Sequence, residues 1–336
     1  MDPSAKIARF ADAVARLRAE IGKSVVGQQR VVGDILVCLL AGGHALLEGA
    51  PGLGKTLLVR TLARCLALRF SRIQFTPDLM PADITGTNIL LEEGRGGRRF
   101  EFQRGPIFGN VVLADEINRA TPKTQSALLE AMSEEAVTVA GVRHPLEPPL
   151  IVLATQNPIE MEGTYPLPEA QLDRFLMKIL VDSPDAETMV KIVESTTGGP
   201  GAEPEPVLDG PGVLSLRALV RETPIAAPLL RYAANLVRAT QPEAPEAAPV
   251  ARKYVRYGAG VRAAQALVLG AKARALLDGR VHVSFDDIAV SAKPCLRHRL
   301  VLGFEGEAEG IAPDAIIDRV LESLPRLPDS VTRLGR

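Results

Sequence analysis

Between the apolar run Ala45-Leu46-Leu47 and a helical pattern, the chain reads Gly49-Ala50-Pro51-Gly52-Leu53-Gly54-Lys55-Thr56. A glycine-rich turn joining a strand to a helix points several backbone N–H groups into one concavity, and the positive end of the helix dipole adds to the nest. Its natural occupant is a triphosphate. Lys55 would contact the β- and γ-phosphates, and the Thr56 hydroxyl would complete the coordination of a magnesium ion. The alternative, an accidental glycine turn, does not account for the strand before it and the helix after it.

The rest of the chain fits the architecture such a loop requires. Short apolar runs at Ile73-Gln74-Phe75, Val111-Val112-Leu113-Ala114, Leu150-Ile151-Val152-Leu153-Ala154 and residues 175–181 alternate with helical patterns. Near-continuous apolar strands in that alternation predict a parallel sheet covered on both faces. Two helices precede the first strand: residues 5–21, where Ile7, Phe10, Val14 and Leu17 recur at helical spacing, and residues 27–40. Two hairpins interrupt the alternation. One turns at residues 93–99 between Ile89-Leu90-Leu91 and Phe100-Glu101-Phe102, the other at Gly141 between Val137-Thr138-Val139 and Leu146.

Residues 198–206, rich in Gly and Pro, predict a linker. Helices follow at 228–240, 262–278, 285–292 and 313–324, with a Pro/Glu/Ala loop at 241–250 expected to be mobile and solvent-facing. The expected fold is therefore α/β: a phosphate-loop αβα sandwich over residues 1–200, with hairpins near 89–103 and 136–146, then a smaller all-α domain over 201–336. A length of 336 residues accommodates two such units.

The net charge of -1 argues against a partner nucleic acid gripped by a broadly basic face, and the run Arg95-Gly96-Gly97-Arg98-Arg99 reads as a solvated hairpin tip. Cys38, Cys65 and Cys295 form no Cys-x-x-Cys pair and read as buried free thiols. His44, His144, His282 and His298 have no metal-ligand spacing. The first ten residues lack an apolar signal core and no stretch is long enough to span a membrane, so the expected location is cytoplasmic.

Chemistry is carried by strand ends. The run Val111 to Ala114 delivers Asp115-Glu116 at its carboxyl end, where open α/β sheets bind ligands. Asp115 would hold magnesium through water and Glu116 would polarise the attacking water as general base; a solvated turn or cap is the alternative. The next strand ends in Thr155-Gln156-Asn157-Pro158. Asn157 would orient the lytic water or sense the γ-phosphate, unless it only makes an Asx turn before proline.

Taken together, the phosphate loop, Asp115-Glu116-Ile117-Asn118-Arg119-Ala120, Gln125-Ser126-Ala127-Leu128-Leu129-Glu130-Ala131-Met132, Ala154 through Pro158, and Glu162-Gly163-Thr164-Tyr165-Pro166-Leu167-Pro168-Glu169-Ala170-Gln171-Leu172-Asp173-Arg174-Phe175 resemble a MoxR-type AAA+ ATPase. The resemblance implies ATP and Mg2+ as cofactors and a homo-oligomeric ring, usually a hexamer, with ATP held where subunits meet. Gly49, Ala50, Pro51, Gly52, Leu53, Gly54, Lys55, Thr56 and Leu57 would then cradle the phosphates, and Val26 and Gln28 would wrap the adenine. Arg174 would reach the next subunit's site as an arginine finger; the alternative is a surface pairing with Asp173 or Glu169.

By the same resemblance Arg262 would touch the γ-phosphate of its own subunit's nucleotide, although Gly260-Val261 stands where the family commonly has Ser-Pro. Residues 75–83 lack the aromatic-hydrophobic-Gly triplet of threading rings, which favours remodelling of a docked partner. The implied partners are client protein complexes, including proteins with a von Willebrand factor A domain. A nucleic-acid motor or loader and a nucleotide-gated scaffold with little turnover are the competing functions.

Overall fold

The computed structural model describes residues 3–93, 97–158, 163–198 and 202–325. Arg95-Gly96 of the basic tip, Glu162 of the motif block and Gly199-Pro200-Gly201 of the linker lie outside the described residues.

Strand β1 (Ala45–Glu48) is followed by β2 (Phe70–Gln74), a hairpin of β3 (Gly86–Glu93) and β4 (Gly97–Arg104), β5 (Val111–Asp115), a second hairpin of β6 (Ala136–Val139) and β7 (Val142–Pro145), then β8 (Ile151–Gln156) and β9 (Met177–Leu180). Five of these form one parallel sheet in the order β2-β5-β8-β1-β9. Successive strand residues point to opposite faces, and the apolar side chains sort accordingly. Leu47, Val111, Leu113, Ile151, Leu153, Met177 and Ile179 join a core with helices Pro3–Gly22, Gln29–Ala41 and Lys55–Cys65. Leu46, Ile73, Val112, Ala114, Val152 and Ala154 join a second core under helix Pro122–Glu134. The αβα sandwich is thus the expected one.

Buried polar groups lock this frame. His44 enters β1: its Nδ1 accepts from the Val152 amide at 3.0 Å, so its Nε2 carries the proton and donates to the Met132 carbonyl at 3.3 Å. Burial lowers its pKa to about 4, which keeps it neutral at pH 7. Gln125, fully buried, donates Nε2 to the carbonyls of Ile117 at 3.2 Å, Ala120 at 3.1 Å and Tyr165 at 3.0 Å. That one amide ties the turn after β5 to the segment before β9.

From residue 202 onward come helices Gly210–Glu222, Ala227–Ala239, Pro249–Tyr254, Val261–Leu277, Phe285–Leu296, Phe304–Ala308 and Pro313–Ser323, with a small antiparallel ribbon of β10 (Val255–Tyr257) and β11 (Val301–Leu302). The Gly-Pro-Gly start of helix Gly210–Glu222 hides it in the sequence pattern; Asp209 caps it by accepting from the Gly212 amide at 2.8 Å, with proline at a first-turn position. Helix Val261–Leu277 buries apolar residues all round and shares one continuous core with the sandwich.

Within the predicted linker Glu205 N donates to Glu20 at 2.9 Å, and just beyond it Val207 N donates to the Cys65 carbonyl at 2.7 Å. The loop at 241–250 is not simply solvent-facing, because Ala244 and Ala248 are buried and Arg252 Nη2 donates to the carbonyls of Ala244 and Pro245, each at 3.1 Å. The three cysteines are buried and free. Among the described residues no helix is long and apolar enough to cross a membrane.

Candidate nucleotide site

Gly49 leaves β1 in close contact with the end of β9. A Cβ there would lie 2.5 Å from the Val181 carbonyl oxygen, backbone against backbone, so only glycine fits. Gly52 and Gly54, at φ 81° and 74°, instead need glycine for the left-handed turn that starts helix Lys55–Cys65. Lys55 Nζ donates across the loop to the Gly49 carbonyl at 2.7 Å. Burial lowers the Lys55 pKa, while the charges of Asp115, Glu116 and Glu48 act in the opposite direction. Gly49→Ala is expected to weaken nucleotide binding by at least about tenfold, because displacing the loop by a few tenths of an ångström misaligns its N–H groups; titration with a fluorescent nucleotide checks this, and unaltered affinity would show that the contact with Val181 yields.

Two strands away, Asp115 and Glu116 are held on all sides. Thr155 Oγ1 donates to Asp115 Oδ1 at 2.7 Å and accepts the Glu116 amide at 2.8 Å. Arg72 on β2 donates to Asp115 Oδ2 from Nη2 at 2.6 Å and Nε at 3.1 Å, and Gln74 Nε2 donates to Glu116 Oε2 at 2.9 Å. Glu116 adopts a left-handed conformation, φ 57° and ψ 50°, which costs a non-glycine residue about 1–2 kcal/mol. Arg72, Gln74 and Thr155 are additions that the sequence motifs do not single out; the signal for the first two is their i, i+2 spacing, which puts both on one face of β2 beside the acidic pair.

Asn157, buried, directly follows β8, which lies between β5 and β1. It therefore stands between the phosphate loop and the two carboxylates. Val26 and Gly27 line a cavity of about 950 Å³ with Arg18, Arg30, Thr188 and Lys191. Gln28 departs from expectation in part: its Nε2 donates to the Leu53 carbonyl at 2.7 Å, bracing the phosphate loop. Its Oε1 is buried without a hydrogen-bond partner, an acceptor that an exocyclic amino group would satisfy. The loop fits the phosphates of a nucleotide, and Thr56 with Asp115 supplies the hard oxygen donors that magnesium prefers.

The two remaining arginines lie elsewhere. Ala45 at the start of β1 pairs with Met177, so Arg174 precedes the amino-terminal edge of the sheet, roughly 13 Å of strand from Gly49 at the opposite edge. Its Nη1 donates to the Leu129 carbonyl at 3.1 Å and to Ser133 Oγ, not to Asp173 or Glu169. It lines a cavity of about 580 Å³ with Ser126, Glu130, Glu134, Arg143 and Gln171. Arg262 is on this same edge: its Nη1 meets Asp173 Oδ2 at 3.5 Å. In this structure Arg262 is therefore held beside Asp173, at the edge opposite Gly49, and not beside its own subunit's phosphate loop.

Residues 44–177 match the ATPase family associated with various cellular activities (AAA), and residues 247–320 match the AAA lid domain. Chaperone MoxR1 of Mycobacterium tuberculosis is 42% identical over 305 residues, 91% of this chain and 80% of that protein. YeaC of Bacillus subtilis is 42% identical, covering 90% and 92% respectively, and protein MoxR of Paracoccus denitrificans is 35% identical, covering 95% and 96%. A crystal structure of a Cytophaga hutchinsonii protein assigned as an ATPase superimposes with a TM-score of 0.89 at 42% identity, over 96% of this chain and 97% of that one. With a phosphate loop, a paired-carboxylate strand end and a docked helical lid in one frame, the chain belongs to the MoxR branch of the AAA ATPase family.

Proposed function

We propose that this protein hydrolyses ATP at sites shared between neighbouring subunits of a ring, the hexamer usual in its family, and uses the turnover to remodel or mature partner protein complexes. The observation that carries the reading is the separation of the site into halves: the loop with Asp115, Glu116 and Asn157 at one edge of the sheet, Arg174 with Arg262 at the other. Head-to-tail contact between copies joins such halves and closes into a ring.

In this mechanism the backbone N–H groups between Gly49 and Leu57, Pro51 having none, and the Lys55 ammonium bind the phosphates, and Val26 and Gln28 border the base. Magnesium on Thr56 and Asp115 would neutralise charge on the β- and γ-phosphate oxygens. Glu116 takes the proton of the attacking water, with Asn157 fixing that water's direction. Arg174 and Arg262 of the neighbour meet the charge that builds on the transferring group.

Dilution tests the shared site. Turnover per subunit is expected to fall at least about tenfold as the assembly dissociates, in step with sedimentation, because a finger supplied in trans contributes roughly 10³ to 10⁵ in rate. A monomer that turns over as fast as the assembly would sink the proposal. The name chaperone borne by the Mycobacterium tuberculosis relative supports the remodelling half. Capture on Glu116→Gln bait with ATP should retain clients, including von Willebrand factor A domain proteins; equal capture without nucleotide counts against ATP-driven remodelling.

A further inference from the structure

Three consecutive lid residues, Arg297, His298 and Arg299, are buried just beyond helix Phe285–Leu296, and all three reach the segment that bears Arg174. Arg299 Nε donates to Asp173 Oδ1 at 2.7 Å, and its Nη2 to the carbonyls of Asp173 at 3.1 Å and Phe175 at 2.7 Å. Its Nη1 donates to the Leu176 carbonyl at 3.2 Å and to the Cys295 carbonyl. His298 Nε2 donates to the Phe175 carbonyl at 3.1 Å, and Arg297 Nη1 to the Lys178 carbonyl at 3.2 Å. One guanidinium thus holds the backbone on both sides of Arg174, while the Arg174 side chain itself is exposed.

This arrangement answers two physical demands. The Arg299 side chain is only 4% exposed, and a guanidinium that far from water needs a countercharge, which Asp173 provides. The segment around Arg174 also lacks long regular structure: helix Glu169–Leu172 has four residues and β9 starts only at Met177. Its carbonyls need donors from elsewhere. Without them the finger would hang on a short irregular connection, whereas a catalytic group must be held to about 0.5 Å.

We infer that Asp173 and Arg299 are positioning residues for Arg174, so that the lid of each subunit fixes the finger offered to the next subunit's nucleotide. The inference rests on the reading that Arg174 completes a neighbour's site. Its consequence is directional: a shift of the lid carries the finger with it, and the effect appears in the adjacent site and not in the subunit's own phosphate loop.

The test is kinetic and uses mixtures of full-length chains. Asp173→Asn is expected to lower kcat at least about tenfold, since a misplacement of 1 Å can cost about 10²-fold, while KM for ATP stays within about twofold of the unmodified protein. Mixing it with the stalled Glu116→Gln chain should restore turnover, because the latter presents an intact Arg174 edge to the former's intact loop. A folding defect would not be rescued in this way. Asp173→Glu keeps the countercharge and guards against loss of the fold; its extra methylene should still lower kcat several-fold at an unchanged melting temperature. If Arg174→Ala abolishes turnover but Asp173→Asn and Asp173→Glu keep kcat within about twofold, the positioning role is wrong. It is equally wrong if Arg174→Ala is rescued by Glu116→Gln and Asp173→Asn is not. If Arg174→Ala itself turns over normally, the shared-site reading falls and the inference with it.

Discussion

Glu116→Gln is expected to lower ATP turnover by about 10²- to 10⁴-fold, the range that a positioned general base contributes, while ATP binding changes little. The residue is well placed for that division of effect. Its amide is fixed by Thr155 Oγ1 at 2.8 Å and its carboxylate by Gln74 at 2.9 Å, with Arg119 Nε 3.2 Å away. A glutamine of the same shape can keep the contact with Gln74 by presenting its own amide oxygen, so the loop, Lys55 and Asp115 need not move. What is lost is the proton acceptor. Single-turnover hydrolysis alongside nucleotide titration separates the two quantities; full turnover in the variant removes Glu116 from the mechanism, and loss of binding makes it a structural residue.

What can be read from sequence, and what cannot, divides along the line between local and tertiary information. The sheet is legible because Val111 through Ala114 and Ile151 through Ala154 are apolar at every position, which only a strand buried on both faces requires. The phosphate loop is legible because its backbone conformation demands glycine at Gly52 and Gly54. Arg72 and Gln74 are not, since their meaning depends on the register that sets Gln74 opposite Asp115.

Gln28 is half legible. Its position beside Val26 suggests a base contact, but nothing local reveals that its amide nitrogen is committed to the Leu53 carbonyl. The surroundings of Arg262 are not legible for a similar reason. A helix start with an arginine says nothing about which strand ends it faces, and here Arg297, His298 and Arg299 tie the lid to carbonyls between residues 173 and 178.

The same separation of edges makes the sharpest expected result a recovery of activity from two inactive chains. Arg174→Ala should bind ATP at its own intact loop yet lose at least about 10³-fold in turnover, the lower end of what a finger in trans contributes. Glu116→Gln should be equally silent for the opposite reason, having the finger but no base. In an equal mixture that assembles at random, about one interface in four sets the loop of an Arg174→Ala chain against the finger of a Glu116→Gln chain, given head-to-tail contacts between copies. Such an interface contains every required group. Turnover should therefore return to about a quarter of the unmodified level, far above either variant alone. A finger that served its own subunit would leave both chains defective in every combination, and the mixture would stay as silent as its parts. The Arg174 side chain, tethered to the Leu129 carbonyl at 3.1 Å on the edge away from Gly49, cannot serve both arrangements. Recovery or silence in that one mixture decides between them.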